Sequence, residues 1–130
     1  MKVFPTLFAT GVMLFGLGAT ARAFEDQPDF KLNGDAAKGA EKYKLFCVAC
    51  HGEKGKGDGP AAAALDPKPT DHSNGEYMNK LSDYYVFTII KEGGPAVGKS
   101  VFMASWKAAL TDEDVRNVGA YVRTLSKPKE

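Results

Sequence analysis

Two cysteines and a histidine carry the most specific chemistry in this chain, in the run Cys47-Val48-Ala49-Cys50-His51. Cysteines three apart with a histidine directly after the second form the C-x-x-C-H spacing that attaches c-type haem. The spacing has a mechanical reason. On a helix, residues three and four apart share a face, so both thiols reach one edge of a flat macrocycle while the imidazole turns towards its iron. Other chemistries use parts of the same pattern. A thioredoxin-like redox pair needs a strand leading into its helix, and no strand-rich segment precedes Cys47. A zinc site asks for four donors, and His72 is the one further strong nitrogen or sulfur donor apart from methionine. A disulfide between Cys47 and Cys50 would be strained on one helical turn.

An iron that only exchanges electrons does best with a sixth ligand, and a neutral, soft methionine thioether favours the ferrous state. Met103 is the favoured candidate: it follows a glycine-containing loop and precedes the last helix, where a segment can wrap over a flat group. Met78 and His72 are the alternatives, Met78 sitting beside Tyr77 and Leu81 in a stretch that a core role explains as well. Trp106 and the tyrosines and phenylalanines read as pocket walls or helix contacts. Lys54, Lys56, Lys99 and Lys107 read as solvated charges with some capacity to steer a partner.

These residues must be positioned by helices. Asp35 is an N-cap candidate, and Ala36, Ala40, Tyr43, Cys47 and Cys50 recur at steps of four and three, predicting a first helix that ends at Gly52. From Gly52 to Asn74 glycines and prolines predict loop, with one short turn over Ala61–Leu65. Ser82 predicts the start of a helix over 83–92, stopped by Gly93-Gly94-Pro95. Thr111 and Asp114 predict a capping box for a closing helix with an apolar stripe of Val115, Val118, Val122 and Leu125. Phe24 to Asn33 reads as a poorly ordered, flexible lead-in. Connections this long are hard to stabilise in so short a chain unless a large apolar disc fills the middle.

The chain has 130 residues, a one-domain length, with 25% charged and 44% hydrophobic residues. Residues 1–23 differ in kind: a positive start at Lys2, an uncharged apolar stretch, and Ala21-Arg22-Ala23 as a cleavage site. That order is a secretory signal peptide cut after Ala23; an uncleaved anchor is the alternative. Cleavage removes Lys2 and Arg22, lowering the basic residues from 17 to 15 against 16 acidic ones. No basic surplus remains to drive nucleic-acid binding.

From Gly34 to Leu125 the residues resemble class I cytochromes c of bacterial periplasms, the monohaem family. The resemblance implies that Gly39, with Tyr43 or Phe46, packs against Tyr121 where first and last helices cross. It implies that Gly59-Pro60 supplies a carbonyl to His51, and that Gly93-Gly94-Pro95 opens an axial-methionine loop. Many members have proline beside that methionine; Phe102 and Ala104 stand there instead, which implies a looser loop.

The expectation is an all-α cytochrome c fold with three main helices and long loops around one covalent haem c. The domain spans 34–126, with a tail of 127–130. Cys47, Cys50, His51 and Met103 bind the cofactor, and His51 and Met103 ligate the metal. The protein is then a periplasmic one-electron carrier, not an enzyme, serving periplasmic or membrane-bound redox proteins as a monomer. It has neither a nucleic-acid partner nor a small-molecule substrate. The rival readings are a haem-based ligand sensor or small peroxidase with a weak or open sixth site, and a disulfide reductant.

Overall fold

The structure is a computed structural model that describes residues 22–126. All but the last two residues of the expected signal peptide, and the tail 127–130, lie outside the described residues. Among those described there is helix and no strand. The elements are α1 (Ala36–Phe46), α2 (Val48–His51), α3 (Gly75–Met78), α4 (Asp83–Glu92) and α5 (Asp112–Leu125), with short 3-10 turns at Ala62–Ala64 and Gly94–Val97. No helix among the described residues is long and apolar enough to cross a membrane.

The three long helices begin where capping chemistry starts them. The Asp35 side chain accepts from the backbone N–H groups of Ala37 and Lys38, and Ser82 accepts from Tyr85. Thr111 and Asp114 form the expected reciprocal capping box. Each satisfies N–H groups that the first helical turn leaves without partners. The Asp114 carboxyl also meets the Lys42 ammonium at 3.3 Å, linking α5 to α1.

The core lies where α1 and α4 meet α5. Tyr43, Val115 and Val118 are its most deeply buried large side chains, each stabilising the fold by about 2 kcal/mol through area removed from water. α1 approaches α5 so closely that a Cβ on Gly39 would run into the Asn117 backbone and reach Tyr121 Cβ at 3.0 Å. The Tyr43 and Tyr121 rings meet beside it with centroids 5.0 Å apart. Gly39, Tyr43 and Tyr121 thus make the helix crossing, while Phe46 turns to Trp106 at 5.4 Å. Asn117 is buried and its Oδ1 accepts from the Asp35 N–H at 2.7 Å.

Three details differ from the sequence expectation. The first helix is interrupted at Cys47, whose carbonyl takes N–H bonds from both Cys50 and His51; the tighter turn separates α1 from α2. The short α3 forms directly after the segment expected to be loop, where no helix was expected, started by Asn74 accepting from the Tyr77 N–H. In the segment 24–33, expected as a flexible lead-in, most residues are exposed but Phe30 and Leu32 pack on the domain. Leu32 is buried, Phe30 lies against Phe87 at 5.1 Å, and the Arg116 guanidinium sits 4.5 Å over the Phe30 ring. Apolar area and a cation–π contact outweigh the polarity of its neighbours.

Arg123 holds the wall between α3 and α4. Its Nε donates to Asp83 Oδ1 at 3.0 Å, and its two terminal nitrogens donate to the carbonyls of Met78 and Leu81 at 2.7 and 2.6 Å. One planar guanidinium thereby fixes three points on this turn.

Candidate functional site

The loop after the cysteine motif folds back under it. Gly57 N–H donates to the His51 carbonyl, Gly59 N–H to Cys50 and Ala61 N–H to Ala49. Gly59 stands against the carbonyls of Val48 and Ala49, where no Cβ has room. The segment 69–72 closes over this loop, with His72 N–H donating to Gly55 at 2.6 Å. The motif is therefore held from below by backbone bonds, and its side chains are left facing a cavity.

His51 is the best defined of them. Its Nδ1 lies 3.1 Å from the Thr70 carbonyl. A carbonyl only accepts, so Nδ1 carries the proton and Nε2 keeps the lone pair that a metal requires. Burial pushes the imidazole below its ordinary 6.5, and the bond to Thr70 opposes this in part; the neutral, ligand-competent ring is favoured. The partner is Thr70 and not Pro60, correcting the expectation drawn from Gly59-Pro60. Pro60 is exposed beside the motif's backbone, and the chain reaches the imidazole only ten residues later.

Cys47 and Cys50 are free thiols. Burial first, and Cys50 second, push the Cys47 thiol up to about 12. Such a sulfur is a poor thiolate source, the opposite of the lowered thiol that a disulfide reductant needs.

Both motif cysteines, His51, Met78 and Met103 line one cavity of about 350 Å³. Met78 is buried in the core cluster against α4 and α5, the packing role foreseen for it. Met103 is only partly buried and rides on a segment closed by its own backbone. Its carbonyl accepts from Gly94 N–H at 2.8 Å and its N–H donates to Ser100 at 3.2 Å. Gly93, at φ 87°, lets this segment come close: a Cβ there would meet the Met103 carbonyl and the Ser105 N–H at 2.9 Å.

His72, the third candidate for the sixth position, is placed elsewhere. Its ring stacks on His51 with centroids 4.1 Å apart and planes 19° from parallel. Two imidazoles on opposite sides of one metal, each about 2 Å from it, have centroids roughly 6 Å apart. His72 is thus a neighbour of His51 and not its counterpart.

The cavity fits a haem on its own terms. Its walls are mainly aliphatic and aromatic, including Leu81, Val86, Ile89 and Trp106. The charged groups among its described lining residues are Lys68 and Lys99, with no carboxylate, which matches a flat apolar body bearing acidic substituents. The donors are two thiols, an imidazole nitrogen and a thioether, the set that holds and ligates c-type haem. By contrast, no three His, Cys, Asp or Glu side chains among the described residues are grouped to hold a metal ion by themselves.

Comparison with known proteins agrees. The cytochrome c family model matches residues 36–126. Cytochrome c-554(547) of Halothiobacillus neapolitanus is 35% identical over 96 residues, covering 71% of this chain and 98% of that protein. Cytochrome c-554(548) of Halomonas halodenitrificans is 32% identical over 88 residues, covering 68% and 93%. Among solved structures, the KustC0563 c-type cytochrome superposes with a TM-score of 0.56 at 28% identity, covering 68% of this chain and 98% of that one. A chain of the Kuenenia stuttgartiensis reducing HAO-like protein complex Kustc0457/Kustc0458 gives 0.57 at 25% identity, covering 79% and 52%. The chain belongs to the cytochrome c family. Membership supports an all-α haem protein of electron transfer, with haem held covalently and redox proteins as partners.

Reasoning from sequence missed Thr70, because a backbone carbonyl carries no side-chain signal. His72 stood in the sequence only as an alternative for the sixth position. The cue for its true place was its position three residues after Pro69, in a segment the chain must bring back under the motif.

Proposed function

We propose that the protein is an exported, periplasmic carrier of single electrons, holding one haem through Cys47 and Cys50 with His51 and Met103 as axial ligands. The observation that carries this is convergence: residues from α2 and from the distant segment before α5 line the same apolar cavity. When bound, the haem supplies a one-electron ferric/ferrous couple. The chain does the rest. Thr70 holds the proton on His51 Nδ1 and so keeps Nε2 available. The aliphatic walls exclude water, which disfavours the extra charge of the ferric state, and a methionine ligand raises the potential further.

Export rests on the order of residues 1–23, and a periplasmic home on the family's company. Redox-protein partners accord with the name of the reducing HAO-like protein complex that contains one neighbour. A second reading, a ligand sensor or small peroxidase, draws on the Met103 segment, where Val101 and Phe102 are 74% and 56% exposed. A methionine carried on so open a segment can yield to an incoming ligand.

The test is a visible spectrum of protein made with a cytochrome c maturation system. The carrier reading expects pigment that survives denaturation and a weak far-red sulfur-to-iron band in the oxidised wild type, lost in Met103→Ala. Attached haem without that band in the wild type moves the sensor or peroxidase reading ahead. No attached haem overturns both.

A further inference from the structure

We infer that His72 is a positioning residue for His51, setting the plane of the proximal imidazole by stacking on it. The inference rests on the proposed ligation by His51. A ring held by one hydrogen bond is anchored at one point of its rim: the Thr70 carbonyl fixes the direction of Nδ1 but leaves the ring free to rock about that contact. The His72 ring lies flat against it, 4.1 Å between centroids and 19° between planes, and blocks that rocking on one face.

A stack positions its partner only if it is itself held, and His72 is held at three points. Its backbone N–H donates to the Gly55 carbonyl at 2.6 Å. Its Cβ lies against Gly55, which at φ 71° has room for no Cβ of its own: one would stand 3.0 Å from His72. Its Nδ1 lies 3.4 Å from the Tyr43 hydroxyl, which donates to the Gly52 carbonyl at 3.2 Å. Since that hydroxyl gives its proton to a carbonyl, its oxygen accepts from His72 Nδ1, which fixes the imidazole's tautomer as well as its tilt. Tyr43 is in turn clamped in the core against Tyr121. A rigid path thus runs from the α1–α5 crossing through Tyr43 and His72 to the face of His51. A core aromatic would fill the same space, but it could not take the bond to Tyr43.

The orientation of an axial imidazole splits the ferric iron's d-orbitals, and electron paramagnetic resonance of the low-spin ferric state reads that splitting directly. The experiment compares wild type, His72→Ala, His72→Phe and His72→Leu as holoproteins, recording ferric resonance spectra, reduction potentials and melting temperatures. His72→Ala is expected to broaden or split the wild-type signal and to lower the potential as water reaches the freed face of His51. His72→Phe, which keeps a flat ring, is expected to restore a single narrow signal. His72→Leu, which fills the volume without a plane, is expected to restore the melting temperature but not the line shape. The inference is overturned if His72→Ala carries haem with wild-type spectra and potential. It is overturned equally if His72→Leu and His72→Phe give the same line shape, a comparison that stands even where the alanine variant does not fold. Absence of haem, or of a histidine-ligated low-spin signal, in the wild type would instead defeat the proposed ligation.

Discussion

The two segments that bring the proposed ligands, His51 and Met103, to the cavity are built in opposite ways. Around His51 nearly every group is tied: ring to Thr70, carbonyl to Gly57, the neighbouring Cys50 carbonyl to Gly59, and Tyr43 to Gly52. Around Met103 only the main chain is tied, at Gly94 and Ser100, with the Phe102 N–H on Ser100 Oγ, while Val101 and Phe102 are open to solvent. Behind it the chain is fastened again, where Ser105, Trp106 and Lys107 bond to the end of α4. A side chain whose own ring is bonded, on a backbone bonded at each step, cannot leave without breaking those bonds. One on a segment fastened only at its ends can swing out while the fold stands. On the proposed ligation, the difference would separate a fixed proximal side from an adjustable distal one within one pocket.

The sharpest way to break this comparison is at the motif. Replacing Cys47 and Cys50 together by serine is expected to abolish covalent pigment entirely, read by haem staining after denaturing electrophoresis. His51→Ala is expected to lose the low-spin spectrum even where pigment remains attached. Met103→Ala should act on ligation more than on stability. The far-red band disappears, the potential falls and ferrous protein binds carbon monoxide rapidly, while unfolding free energy drops by only about 1 kcal/mol for a partly buried side chain. A loss several times larger in denaturant titration would mean that the Met103 segment is as firmly built as the His51 side.

Much of this contrast was legible in the residues themselves. C-x-x-C-H states its own chemistry, and Asp35, Ser82 and Thr111 mark helix starts because their side chains accept N–H bonds wherever they stand. Gly39 was placed by the resemblance to class I cytochromes c, and the close helix crossing supplies the reason for a residue without a Cβ there. What stayed hidden was made by tertiary contact. Thr70 serves through its carbonyl, which every residue has. Phe30 and Leu32 lie in a polar stretch whose burial is decided by Phe87, Arg116 and α5, far along the chain. The break at Cys47 leaves the apolar period intact and so escapes a reading based on period.

Smaller changes sharpen the comparison by loosening the frame that both segments share. Arg123→Leu removes three guanidinium bonds, to the Met78 and Leu81 carbonyls and Asp83 Oδ1, and is expected to cost about 2 kcal/mol in chemical denaturation. Thr111→Ala removes the α5 cap for about 1 kcal/mol. The partner in that cap adds a pH signature. Bonds from the Thr111 backbone N–H first, and its hydroxyl next, hold the Asp114 carboxyl below its ordinary 3.8. A depressed carboxyl stabilises the fold above the unfolded value and loses that contribution as pH falls through the folded one. The melting temperatures of wild type and Asp114→Asn should therefore differ at pH 6 and converge only as pH falls well below 3.8.

The contact of Gly39 with Asn117 also orders events in time. It joins the first long helix to the last, so nearly the whole domain must be synthesised and its intervening chain looped before that contact exists. Closing a loop of this length costs about 4 kcal/mol in chain entropy, which slows its formation relative to local helices. Cys47, buried once the helices have met, is open to modification until then. A variant that folded much faster is therefore expected to receive less pigment, since its Cys47 would be covered sooner.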